Sequence, residues 1–174
     1  MRNEIPPEIM TPLCSAVGEF VVSWAVLEMG LDSCIAVIYQ VGGGKHHLKK
    51  IPRQISLKVR FLQACISHVG AVQPFANEGR EILSRVDAIT ETRHMIVHGC
   101  VTKYFPQDHQ FEFVKLDLDK DKTRHTATTL RITAQELLDQ SGEALALGAT
   151  VQNFAWRLID ALVPEEVASA LISG

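Results

Sequence analysis

The run Glu91-Thr92-Arg93-His94-Met95-Ile96-Val97-His98-Gly99 holds the residue types best suited to chemistry. An imidazole takes up and releases protons near neutral pH, and a guanidinium stays cationic and presents a planar fork of donors to an anion. Ile82, Val86, Ile89, Ile96 and Val97 recur at helical spacing, and at about 100° per residue Arg93 falls in the middle of their arc. An arginine facing inward costs several kcal/mol unless a carboxylate, carbonyl groups or a bound anion meets it. The other outcome is that its stem lies along apolar surface and its head reaches water. His94 and His98 are four apart, so they project from one polar side of the helix with Asp87 and Glu91.

Glu28 is the matching anomaly, because it lies within the arc of Val17, Trp24, Leu31 and Ile35. The economical expectation is that Glu28 and Arg93 pair or share one polar pocket, since each alone is expensive to bury. The alternative is that Glu28 borders a wet groove. A His-x-x-x-His pair can hold a metal, yet no Glu follows His94 in the zinc-protease pattern and no Cys/His cluster supplies a third ligand. Neither metal nor other cofactor is expected. His46-His47 reads as a solvated loop, and Lys45, Lys49, Lys50, Arg53, Lys58 and Arg60 read as a solvated face that slightly favours a phosphate-bearing partner.

Helices must position these groups. Val17, Phe20, Val21, Trp24, Leu27, Leu31, Ile35 and Ile38 mark one long amphipathic helix after Pro12, ended by Gly42-Gly43-Gly44. Pro52 suits a first turn, and Ile55, Val59, Leu62, Ile66 and Val69 trace a second helix up to Gly70. A third runs from about Pro74 to Val97, with Gly99 as its stop. The period then changes to two over Cys100–Phe105, Gln110–Leu118 and Thr123–Ile132, with Pro106-Gln107-Asp108 and Asp119-Lys120-Asp121 as turns. Thr133-Ala134-Gln135-Glu136 fits a capping box and opens a fourth helix through Leu162, whose small residues Ser141, Ala144, Gly148 and Ala155 share an inner face. Pro164 closes it, and Glu165–Ile172 can add a short fifth helix. The expected architecture is mainly α, a bundle of four to five helices in one domain over residues 1–174, with an antiparallel β insertion at about 100–132.

Composition narrows the function classes. With 17 Lys+Arg against 20 Asp+Glu the 174-residue chain carries a formal charge of −3, which excludes coating nucleic acid by bulk charge and leaves only a local site. The 47% apolar and 21% charged content excludes disorder, collagen-like repeats and a coiled-coil rod. Cys14, Cys34, Cys65 and Cys100 are dispersed without a Cys-x-x-Cys pair, and Met1–Pro7 lacks the apolar core of a signal peptide. Phe20–Ile38 is interrupted by Glu28 and Asp32 and reads as a core helix rather than a membrane span. A reducing cytoplasm without membrane insertion is the expectation.

Arg93-His94-Met95-Ile96-Val97-His98-Gly99 resembles the Arg-polar-x-x-x-His signature of the HEPN superfamily (higher eukaryotes and prokaryotes nucleotide-binding). A long first helix containing Trp24-Ala25-Val26-Leu27-Glu28, a second helix, a signature helix ending in His-Gly, a β excursion and a closing helix extend the likeness over most of the chain. His94 stands where many members have Asn. The resemblance implies metal-independent cleavage of RNA, with His98 as general acid/base, Arg93 as phosphate ligand, and His94 and Glu28 in auxiliary roles. RNA supplies its own nucleophile in the 2′-hydroxyl. Because Arg93 and His98 lie about 140° apart around the helix and about 7.5 Å along it, a homodimer is expected to bring two signature helices to one cleft. A toxin or defence setting with an antitoxin or operon partner fits the same resemblance, and the alternative is a non-catalytic HEPN-like binding or assembly module.

Overall fold

The computed structural model describes residues 5–118 and 124–164. In chain order its elements are α1 (Pro7–Gln40), α2 (Ile55–His68), α3 (Ala76–His98), β1 (Cys100–Phe105), β2 (Gln110–Leu118), β3 (His125–Thr133) and α4 (Ala134–Leu162), with short 3-10 segments at Gly44–His46 and Gly70–Phe75. The protein is therefore mainly α with a small antiparallel sheet in the order β1-β2-β3. The fifth helix over 165–172 and the Asp119-Lys120-Asp121 turn fall outside the described residues.

Two helix starts differ from the sequence expectation. The first helix begins at Pro7, five residues before Pro12, because the Pro6 carbonyl accepts from Ile9 N and Met10 N at 3.0 and 3.1 Å. Pro12 is carried inside the exposed early turns, where its fixed φ suits a helix and the lost hydrogen bond faces water. The second helix begins at Ile55 instead of Pro52. Gln54 keeps an extended backbone, φ −81° and ψ 139°, and its carbonyl starts the helix by accepting from Leu57 N and Lys58 N at 3.0 and 2.9 Å. Two stripe residues also lie at the edge of their arcs and reach solvent, Val21 at 44% exposure and Val97 at 43%.

The chain divides into two compact units, one of Met1–Trp24 with Ala88–Ala144 and the other of Ala25–Asp87 with Leu145–Gly174. In the first, Leu13, Phe20, Trp24, Ile89, Met95, Ile96, Phe111, Phe113, Ile132 and Leu137 are buried. Phe111 pairs with Ile132 and Phe113 with Leu130, so alternate residues of β2 and β3 present one apolar face. Gly99 makes the turn from α3 into β1, its N–H donating to Met95 O at 2.9 Å. A Cβ there would stand 2.5 Å from that same oxygen, which is why only glycine serves. The capping box forms as read, Glu136 N donating to Thr133 Oγ1 at 3.0 Å and Thr133 N to Glu136 Oε2 at 2.7 Å.

In the second unit Leu27, Leu31, Ile35, Phe61, Leu62, Ile66, Val86, Leu147, Val151 and Leu158 are buried. On the small-residue face of α4 a Cβ on Gly148 would lie 3.0 Å from Leu27 N, so the two backbones approach closely.

Candidate functional site

The last turn of α3 gathers the predicted groups. Arg93 Nη1 lies 3.3 Å from His98 Nε2. A guanidinium only donates, so the ring nitrogen accepts. The His94 and His98 rings face each other at 5.9 Å between centroids and 27° between planes, as their four-residue spacing on one helical face requires. The Arg93 guanidinium also sits over the indole of buried Trp24 at 5.9 Å, and its Nε is buried with no hydrogen-bond partner among the described residues. Both sequence outcomes for Arg93 are realised in part. Its stem and Nε are inside, while Nη1 reaches exposed His98.

The helical separation of Arg93 and His98 does not keep them apart. The wheel measures backbone positions, and the long arginine stem closes the gap, so one chain brings the two side chains into contact. The β insertion adds a cation that the sequence reading missed. Lys115 on β2 is largely buried, with Nζ 3.1 Å from Asp117 Oδ2. Partial burial holds His94 below the usual histidine range, with the positive charges of Arg93, Lys115 and His98 acting in the same direction and Glu91 opposing them.

Glu28 Oε1 lies 2.8 Å from Lys58 Nζ, which also reaches Asp32 Oδ1 at 2.7 Å. Lys58 is only 5% exposed, contrary to its placement in a solvated basic face. The sequence did carry the signal, since Lys58 stands three residues after Ile55 and four before Leu62 on the stripe of α2. Burial disfavours the Lys58 ammonium, but hydrogen bonds to Asp32 and Glu28 and the charges of both outweigh it and hold its pKa above the ordinary lysine value.

Among the described residues no three or more His, Cys, Asp or Glu gather where a metal could be held. All four cysteines are free, and burial pushes Cys34 up to about 12 and Cys65 up to about 11, so neither is a thiolate nucleophile at neutral pH. An open groove of about 360 Å³ lined by Gln63, Ser67, Arg80, Leu83, Ser84 and Asp87 includes none of the predicted site residues. Compared with protein-family models, curated proteins and solved structures, the chain matches none of them.

Proposed function

We propose that this chain is a HEPN-like, metal-independent endoribonuclease of the cytoplasm that works as a homodimer. The observation that carries the reading is the 3.3 Å approach of Arg93 Nη1 to His98 Nε2 beside the His94 ring. The guanidinium binds the scissile phosphate and offsets the charge that builds on it, and His98 exchanges a proton with the reacting oxygens. The 2′-hydroxyl attacks phosphorus, the bond to the 5′ oxygen breaks, and the products are a 2′,3′-cyclic phosphate and a 5′-hydroxyl. In the dimer a second signature helix widens the cleft and supplies a second Arg/His set. The outward Val21 and Val22 of α1, 44% and 66% exposed, are apolar surface available to such an interface.

The test is cleavage of total RNA, tRNA and ribosomes by purified protein in the presence of a chelator, with the new ends mapped and the oligomeric state measured by sedimentation. Cyclic phosphate ends that disappear in His98→Ala support the reading. Dependence on a divalent metal, or undiminished cleavage by His98→Ala, defeats it. One observation favours a second reading, a non-catalytic HEPN-like binding or assembly module such as an antitoxin or defence-system component. The Arg93 donor occupies the nitrogen of His98 that would move the proton. Wild-type protein inert towards all three RNA classes selects that reading.

A further inference from the structure

The ribonuclease reading leaves one proton unassigned. A phosphodiester cut by its own 2′-hydroxyl needs a base for that hydroxyl and an acid for the departing 5′ oxygen, and a single imidazole cannot be in both states at once. Two imidazoles stand on one face of α3 with centroids 5.9 Å apart, far enough for a phosphate to be approached by both through hydrogen bonds of about 3 Å. They are not equivalent. His98 is exposed, and its Nε2 is held by Arg93 Nη1. His94 is half-buried and faces Arg93, Glu91 and His98 on its own helix and Lys115 from β2.

Resting on that reading, we propose that His94 and His98 divide the acid and base work, His94 taking the proton of the 2′-hydroxyl and His98 delivering one to the 5′ oxygen. Partial burial first, and then the surrounding positive charges, favour the neutral form of His94, the form that accepts a proton. An incoming phosphodiester draws the Arg93 guanidinium to its own oxygens and frees His98 Nε2 to bind a proton. The balance closes. One proton passes from the 2′-hydroxyl to His94 and one from His98 to the 5′ oxygen, the oxygen–phosphorus bond forms as the phosphorus–5′-oxygen bond breaks, and water returns the proton from His94 to His98 after product leaves.

The experiment uses two oligoribonucleotides, one natural and one with sulfur in place of the 5′ bridging oxygen at a single linkage. A thiolate leaves without a proton, so only the base is still needed. On the natural strand His94→Asn and His98→Ala should each slow cleavage about a hundredfold or more. On the sulfur strand His98→Ala should return to within about tenfold of wild type, while His94→Asn stays slow. His94→Gln repeats the measurement if His94→Asn does not fold. Lys115→Gln, folded and active, should move the acid limb of the pH–rate curve to higher pH. Rescue of His94→Asn, rescue of neither variant, or undiminished cleavage by His94→Asn on the natural strand overturns the division of labour while the ribonuclease reading stands. A wild-type protein inert on both strands overturns that reading and the pair with it.

Discussion

Two cations on two apolar helical stripes meet opposite fates. Lys58 on α2 is 5% exposed and saturated, with one carboxylate at 2.8 Å and another at 2.7 Å. Arg93 on α3 has a buried Nε without a partner among the described residues, an aromatic ring at 5.9 Å and a histidine at 3.3 Å. A buried charge repaid by opposite charges is a structural device. A half-buried guanidinium with one buried nitrogen unpartnered among the described residues and another against an imidazole keeps donors for an anion, and on the proposed reading that contrast places the chemistry on α3 rather than at the stronger ion pair on α2.

The largest expected effect separates the two by activity. Arg93→Ala should lower RNA cleavage by about a hundredfold to a thousandfold, the usual loss for a removed donor to developing charge. Its folding should change by no more than about 1 kcal/mol, since the ring contact it loses is worth little more. Lys58→Ala, compared at equal folded fraction, should cleave like wild type. Equal losses of cleavage in both variants would break the comparison.

Stability should reverse the ranking. Removing Lys58 takes its ion pair from Glu28 and Asp32, whose side chains are 26% and 51% exposed, so water offsets part of the loss. A destabilisation of about 2–3 kcal/mol is expected, somewhat below the range for fully buried pairs. In a domain of this length that lowers the melting temperature by roughly 5–10 °C. Lys58→Met combined with Glu28→Gln should recover more than half of the loss, because the better-buried of the two carboxylate charges that Lys58 offsets is then neutral. Lys58→Met alone recovering as much as the double variant would show that packing of the lysine stem, and not charge, is what matters there. Because the folded pKa of Lys58 is raised, its contribution is complete below the ordinary lysine value and fades as pH rises through the folded value.

Much of this contrast was legible in the residues alone, and its gaps have physical reasons. β1 and β2 fall at the read boundaries, and the capping box forms, because alternation and cap chemistry are local. The early start of α1 was hidden by Pro12, whose cost depends on solvent exposure that a pattern does not show. Glu28 is legible as a charge needing compensation, but its partner Lys58 is not, because it sits in a basic run that looks solvated. Arg93 and His98 looked separated because a wheel plots backbone angle and not the reach of a long side chain. Lys115 was out of view altogether, since its place near His94 comes from the sheet's position against α3 in the same unit, and no sequence spacing encodes that.

The smallest effect tests the electrostatics around α3 without any substrate. The pKa of His94 is lowered in the folded chain by burial first and then by the charges of Arg93, Lys115 and His98. Between that lowered value and the ordinary one near 6.5, the unfolded chain holds more protons than the folded chain. Stability therefore rises with pH across this window and is lost as pH falls through it. His94→Gln should flatten that acid-side slope, and melting temperatures of the two proteins measured from about pH 5 to about pH 7.5 should diverge at the acid end, with the variant the less pH-sensitive. Lys115→Gln should flatten it in part, because it removes one of the like charges that face His94. Lys58→Met should leave the acid-side slope as it is, since the Lys58 contribution is full throughout that range. Parallel melting curves for wild type and His94→Gln would mean that His94 titrates as a free surface histidine, and the comparison would then rest on Arg93 alone.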